Sequence, residues 1–128
     1  MAQDSSNPAS DEILDLPTLQ QLLDLDDGEL GLIKEMLQLF LEDTPQRIDA
    51  LDVAIQSGNS EELGDVAHAV KGAAATMGAP QVRALALALE TAGRMGKTEV
   101  DPSVLVAKLR EEFQKAVTGL EEFIASKS

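Results

Sequence analysis

The chain contains no cysteine, no tryptophan and no tyrosine, and its aromatic side chains are limited to three phenylalanines. Without cysteine, neither a disulfide framework nor a thiolate metal site can form, and the composition suits the reducing conditions of a cytoplasm. The scarcity of aromatic rings leaves little to stack on bases or sugars. These absences exclude the disulfide-rich folds and disfavour an aromatic platform for nucleic acid.

Long apolar runs and clustered basic residues are also missing. No segment approaches the roughly 18 apolar residues of a membrane span, and the N-terminal stretch MAQDSSNPAS lacks the pattern of a signal peptide. Ten Lys and Arg stand against 23 Asp and Glu, so the formal net charge is −13. A charge of this sign disfavours nucleic acid and anionic membranes as partners. We therefore expect a cytoplasmic protein that binds neither of them.

The 128 residues suffice for one domain with a modest hydrophobic core. Leu, Ala and Met dominate and β-branched runs are few, which favours an all-α fold. Residues 1–12 contain no Leu, Ile, Val or Phe, and the first large aliphatic residue of the chain after Met1 is Ile13. We expect a disordered tail over residues 1–13 and a single helical domain over residues 14–125 that is a monomer.

Amphipathic patterns and end signals predict five helices. A short one begins around Pro17, and a long one runs from Glu29 to about Ser57. Pro45 interrupts the long helix, but the apolar stripe keeps its phase across it, which predicts a kink there; two separate helices are the alternative. Cap and stop residues place three further helices, from Asn59 or Ser60 to Met77, from Pro80 to Gly93 or Gly96, and from Pro102 to Ser126. Short connections favour an up-down-up-down antiparallel four-helix bundle with a short extra N-terminal helix.

The only histidine, His68, lies in the third predicted helix, within AHAVKGAAATMG at positions 67–78. At 100° per residue it faces away from an apolar stripe that comprises Leu63, Val66, Val70, Ala73 and Met77. Gly64, Lys71 and Gly72 share its outer face. Glycine costs a helix interior about 1 kcal/mol relative to alanine, but it allows another molecule to approach the backbone closely. We interpret Gly64 and Gly72 as clearance around a reactive imidazole; a surface histidine beside chance glycines is the alternative.

The charge around His68 differs from that of the rest of the chain. Between Val66 and Thr98 the only acidic residue is Glu90, whereas four residues are basic: Lys71, Arg83, Arg94 and Lys97. A locally basic segment within an acidic protein suits an anionic group carried at or near the imidazole.

These residues resemble the signature of histidine phosphotransfer (HPt) domains, the intermediates of multistep two-component phosphorelays. The resemblance rests on HAVKGAAATMG at 68–78, with LFLEDTP at 39–45 and LETAGR at 89–94, and covers about residues 29–95. It implies that His68 accepts a phosphoryl group from the aspartyl phosphate of one response-regulator receiver domain and passes it to another. The phosphate originates from a sensor histidine kinase. Neutral imidazole is a competent nucleophile near pH 7 without an added base.

The resemblance also implies roles for the neighbours of His68. Lys71 compensates negative charge on the phosphoryl oxygens, since phosphoryl transfer needs mainly positioning and charge compensation. Glu90 accepts a hydrogen bond from Nδ1, which leaves Nε2 as the attacking atom; an ordinary surface carboxylate is the alternative. Gly72 gives room to the phosphoryl group, and Gly78 ends the helix. Arg94 contacts phosphate or the partner; a cation that stabilises the helix C-terminus is the alternative.

No motif supplies chemistry of the chain's own. A Gly-rich phosphate loop ahead of a lysine is missing, so we expect a phosphoryl carrier rather than an enzyme with autonomous kinase activity. We expect no cofactor and no metal site, with Mg²⁺ supplied by the receiver domain. A di-iron bundle needs two inward Glu-x-x-His motifs, whereas this chain has one histidine, preceded by Asp65 and facing outward. Two alternatives stay open: the phosphoacceptor domain of a chemotaxis-type kinase, and a non-catalytic adaptor that binds receivers.

Overall fold

A computed structural model describes residues 12–96 and 99–128, and within these residues the chain forms five helices and no strand. In chain order they are α1 (Leu16–Leu25), α2 (Gly31–Ser57), α3 (Ser60–Thr76), α4 (Pro80–Met95) and α5 (Pro102–Lys127). The predicted all-α class is therefore confirmed. The tail predicted over residues 1–13 lies outside the described residues, apart from Glu12 and Ile13.

The helix ends follow local signals in the sequence. The side chain of Asn59 accepts a hydrogen bond from the Glu62 backbone N–H at 3.0 Å, and that of Asp101 accepts one from Ser103 at 2.9 Å. Both satisfy backbone donors that the first helical turn leaves free. At the C-terminal end of α2, Gly58 has φ of +71°, a left-handed conformation in which a residue with a side chain would be strained.

Helix α2 continues through Pro45 without a break. Thr44 and Ile48, on either side of the proline, are both buried, so the two halves of the helix pack on the same core. That burial compensates for the backbone hydrogen bond that the proline ring removes. The prediction of one long helix is confirmed and the two-helix alternative is wrong; the bend at Pro45 stays a prediction.

Helices α2 to α5 form the bundle. Helix α3 packs between α2 and α4, while α5 packs on both α4 and α2 and so closes the ring. Helix α1 packs against α2. Phe40 and Phe113 join α2 to α5 with ring centroids 5.0 Å apart, and fully buried leucines such as Leu89 and Leu109 fill the centre. The four-helix bundle with an extra N-terminal helix is confirmed, and no helix in the described part of the chain is long and apolar enough to span a membrane.

The buried face of α3 is rotated from the predicted stripe. Ala67 and Ala74 are fully buried, whereas Val66 and Ala73 are only partly so. The reason is that α4 covers the alanine side of α3, and a helical wheel drawn from one segment cannot show which neighbour lies on which side. Helix α4 continues past Gly93 and ends at Met95 with Gly96 as its left-handed cap, so of the two predicted stops Gly96 is confirmed and Gly93 is not.

Candidate functional site

His68 stands on the solvent face of α3, with 63% of its side chain exposed. Its Nδ1 lies 2.8 Å from Oε2 of Glu90, a residue that α4 brings alongside from 22 positions away. An ionised carboxylate can only accept a hydrogen bond, so this contact assigns the proton to Nδ1. Nε2 has no hydrogen-bond partner among residues 12–96 and 99–128, so in the neutral ring it is the nitrogen that carries the free lone pair.

Lys71, one helical turn after His68, contacts the second oxygen of the same carboxylate. Its Nζ lies 2.6 Å from Oε1 of Glu90, whose side chain is only 13% exposed. The contact with Lys71 lowers the pKa of Glu90 most, burial acts in the opposite direction, and the hydrogen bond with His68 lowers it further. The net effect is a lowered pKa, which keeps Glu90 ionised at neutral pH.

Arg94 forms the edge of this cluster, one turn after Glu90 on α4. Its Nη1 lies 2.8 Å from Oδ1 of Asp65, and its Nη2 lies 3.9 Å from Oε2 of Glu90. The guanidinium therefore belongs to the same charge network as His68. It also occupies the last turn of α4, where a cation interacts favourably with the helix dipole. Both interpretations of Arg94 are compatible with its position.

Gly64 does not face a partner. It is buried between α3 and α4, where the Arg94 side chain covers it: a Cβ at this position would lie 3.1 Å from Nη1 of Arg94. On the facing helix, a Cβ at Gly93 would lie 2.5 Å from the backbone nitrogen of Gly64. The interpretation of Gly64 as outer-face clearance is therefore wrong, because α4 lies over that side of α3.

The glycine pair has a different consequence for the site. Gly64 and Gly93 let the backbones of α3 and α4 touch one turn from His68 and three residues from Glu90. This close crossing brings the Glu90 carboxylate within hydrogen-bond distance of the ring. Sequence reasoning missed the role of Gly93 because a glycine near a helix end is typical of a helix stop. The signal that could have revealed the close crossing is the pair of glycines on consecutive helices.

Gly72 lies on the open side of His68. It is exposed, and a Cβ built on it would meet nothing within 4 Å. Nothing inside the described molecule therefore requires glycine at this position, and the role of Gly72 as clearance for a partner stays a prediction. Gly78 has φ of +67° and ends α3 as expected.

The cluster contains one nucleophile, two cations and two carboxylates, of which Glu90 contacts the ring and Asp65 pairs with Arg94. In the described part of the chain, no group of three or more Asp, Glu, His or Cys side chains could hold a metal ion. His68 faces water rather than the bundle interior, which is the opposite of the geometry that a di-iron site needs. What the arrangement provides is an exposed imidazole whose orientation is fixed by Glu90, with the paired cation Lys71 one helical turn away.

Comparisons with known proteins agree with this geometry. A family model described as Hpt domain matches residues 35–123. Histidine-containing phosphotransfer protein B (HptB) from Pseudomonas aeruginosa PAO1 superposes with a TM-score of 0.78 at 24% identity, over 89% of this chain and 96% of that one. The histidine-containing phosphotransfer domain of ArcB from Escherichia coli superposes with a TM-score of 0.77 at 23% identity, over 93% of this chain and 98% of that one.

The HPT domain of the Hpt sensor hybrid histidine kinase from Shewanella gives a TM-score of 0.65 at 20% identity, over 88% of this chain and 97% of that one. At these identities the structural likeness establishes a shared fold. The search among curated proteins returned no match.

Proposed function

Because the chain belongs to the Hpt domain family, whose members carry phosphoryl groups in two-component signalling, we propose that His68 is the phosphoacceptor of a multistep relay. Its phosphoryl donor is the aspartyl phosphate of one receiver domain and its acceptor is the aspartate of another. The observation that carries the proposal is the exposed imidazole whose Nδ1 is held 2.8 Å from Glu90.

The proposed step breaks one bond and forms one. The lone pair of Nε2 attacks the phosphorus, the P–O bond of the acyl phosphate breaks, and the aspartate carboxylate leaves with its electron pair on the receiver. An N–P bond on His68 then holds the phosphoryl group, and the reverse sequence delivers it to the second aspartate. Mg²⁺ belongs to the receiver in this proposal, and the chain needs no cofactor of its own.

Glu90 and Lys71 support this step in different ways. The hydrogen bond from Nδ1–H to Glu90 fixes the ring, and the carboxylate compensates the positive charge that the ring gains as Nε2 attacks. Lys71, only 2.6 Å from Glu90, lies one turn from the ring and supplies charge for the equatorial phosphoryl oxygens. Gly72 leaves the backbone beside the ring free for a receiver loop. Arg94 is a further phosphate or partner contact at the edge.

The proposal also covers the setting of the protein. A carrier without kinase activity takes its phosphate from a sensor histidine kinase through a receiver domain. Such partners meet in the cytoplasm, whose reducing conditions suit a chain without cysteine. One exposed histidine per bundle is sufficient for the transfer, so the working form is proposed to be a monomer.

The direct test mixes the protein with a panel of ³²P-labelled receiver domains and follows the label. We expect acid-labile, base-stable label on the wild-type chain and none on His68→Gln, which keeps the fold because the side chain is exposed. A donor that is an ATP-bound kinase domain, with no receiver active, would favour the chemotaxis-type alternative. An activity that His68→Gln retains in full would favour the adaptor.

A further inference from the structure

An apolar groove runs between α2 and α3 beside the proposed site. Its floor is made by Phe40, Thr44 and Met77, all of them almost completely buried. Leu39, Arg47 and Ala73 form its rim. The groove encloses about 180 Å³ and opens to solvent. We call these six residues the α2–α3 groove.

The floor of the α2–α3 groove contains an unsatisfied polar atom. The Thr44 side chain is 0% exposed, and its Oγ1 has no hydrogen-bond partner in the described structure. A buried hydroxyl without a partner costs about 1–3 kcal/mol, and a valine of nearly the same shape would avoid that cost. The hydroxyl therefore favours a polar occupant of the groove.

Arg47 adds an unpaired positive charge at the rim. It is half-buried, lies one turn after Thr44 on the same face of α2, and forms no ion pair with the described residues. Asp43 also lines the groove but is not among its partners. A guanidinium on an apolar wall, beside a hydroxyl donor, presents the chemistry that recognises a carboxylate.

The α2–α3 groove is continuous with the surface around His68. A second, shallower depression contains Arg47, Asp65 and Ala69, so it links the groove to the turn of α3 that carries the imidazole. Stable protein interfaces cover about 800 Å² on each partner, far more than one imidazole and its neighbours. A partner centred on His68 therefore extends over this surface.

The volume of the groove distinguishes a side chain from a metabolite. Small-molecule sites usually enclose about 300–1,000 Å³, whereas this groove has about 180 Å³. A glutamate or aspartate side chain suits the groove: its methylene groups contact the apolar walls and its carboxylate pairs with Arg47 at the rim. The Thr44 hydroxyl is fully buried, so the occupant reaches it only when the floor of the groove opens.

We propose that the α2–α3 groove binds an acidic side chain of the docked receiver domain, with Arg47 and Thr44 as its anchors. The identity of the partner rests on the proposed relay function. Arg47 and Thr44 thus determine which receivers bind, and they take no part in the chemistry at His68.

The test measures binding without chemistry. Receiver domains from the labelling panel are titrated against the His68→Gln chain by calorimetry, and again after adding Arg47→Ala, Thr44→Val or Lys34→Ala. Lys34 is an exposed cation on the same helix outside the groove, so its removal controls for the change in net charge. We expect Arg47→Ala to raise the dissociation constant about tenfold or more, Thr44→Val several-fold, and Lys34→Ala hardly at all.

Thermal unfolding of the same variants separates docking from folding. Thr44→Val should leave the unfolding temperature unchanged or raise it, because the hydroxyl has no partner in the free protein, and should still weaken binding. A receiver that labels His68 of the wild-type chain but binds Arg47→Ala and Lys34→Ala equally well would overturn the groove and leave the relay standing. Absence of label on wild-type His68 from every receiver would instead overturn the relay.

Discussion

Glu90 contacts both side chains that the proposal assigns to the phosphoryl group. Its Oε2 holds the imidazole of His68 and its Oε1 holds the ammonium of Lys71, at 2.8 and 2.6 Å. In the free protein, Lys71 is therefore already paired with a partly buried carboxylate. When a phosphoryl group arrives on Nε2, Lys71 can compensate its charge only by sharing or leaving this pair. Arg94, whose Nη2 is 3.9 Å from the same carboxylate, is the cation that remains beside Glu90.

Replacing Glu90 by Gln makes the stability of the protein less dependent on acid pH. The pKa of Glu90 is lowered in the folded state, so its ionised form contributes stability above its ordinary pKa of 4.5, and that contribution is lost as the pH falls through the lowered value. We expect the difference in free energy of unfolding between wild type and Glu90→Gln to be greater at pH 7 than at pH 3. Urea unfolding at both pH values measures it. A difference that grows on acidification would contradict the ion pair with Lys71.

Replacing Lys71 by Ala removes the cation that lies one helical turn from His68. Loss of one preorganised stabilising group typically slows a reaction by about 10²–10³-fold, and we expect a slowing of at least tenfold in label transfer from a receiver. Lys108→Ala, on the exposed face of α5, is the matched control and should transfer at the wild-type rate. Single-turnover labelling measures both, and equal rates would exclude Lys71 from the chemistry.

At the scale of the helices, the crossing of α3 over α4 sets the geometry of the site. Three features combine there: small residues at the crossing, a histidine one turn along α3 and a carboxylate one turn back along α4. Neither helix alone places the imidazole next to Glu90. A change in the separation of the two helices should therefore act on His68 without touching it.

Gly93→Ala should test this dependence. The added Cβ would lie 2.5 Å from the backbone of Gly64, so the helices must separate, at a cost of about 1–3 kcal/mol in the free energy of unfolding. The His68–Glu90 contact should lengthen, which the chemical shift of the ring Nδ1 proton reports. An unchanged proton shift in a destabilised variant would show that the crossing does not position Glu90.

Gly72→Ala, on α3, is the opposite case to Gly93→Ala on α4. The added methyl group meets nothing within 4 Å, and alanine is the better helix former by about 1 kcal/mol, so the variant should be more stable than wild type. If Gly72 provides room for a receiver, the same variant should transfer phosphate more slowly. A stabilised variant with full transfer activity would remove that role.

At the scale of the whole molecule, most of the fold could be predicted from the sequence because helix ends depend on local chemistry. Asn59, Asp101 and Gly58 act within a few residues of their own positions, and an apolar stripe that kept its phase predicted α2 across Pro45. The covered side of α3 could not be predicted, since it depends on α4. Gly64 was misplaced for this reason, and the role of Gly93 was missed.

The net charge of −13 belongs to the molecule as a whole and should make its stability sensitive to salt. Repulsion between like charges destabilises the compact state, and salt screens it over about 10 Å at 0.1 M. We expect the unfolding temperature to rise between low salt and about 0.15 M sodium chloride. Replacing both Glu121 and Glu122, exposed on α5, by Gln should reduce this rise. An unfolding temperature that falls with added salt would show that attractive pairs dominate.

The most direct test of the account is the position of phosphorus on the phosphorylated protein. Nuclear magnetic resonance of the ¹⁵N-histidine chain, labelled by a phosphorylated receiver, distinguishes the two ring nitrogens through their coupling to ³¹P. We predict phosphorus on Nε2 of His68, with the Nδ1 proton still hydrogen-bonded to Glu90. Phosphorus on Nδ1, or on a residue other than His68, would contradict it.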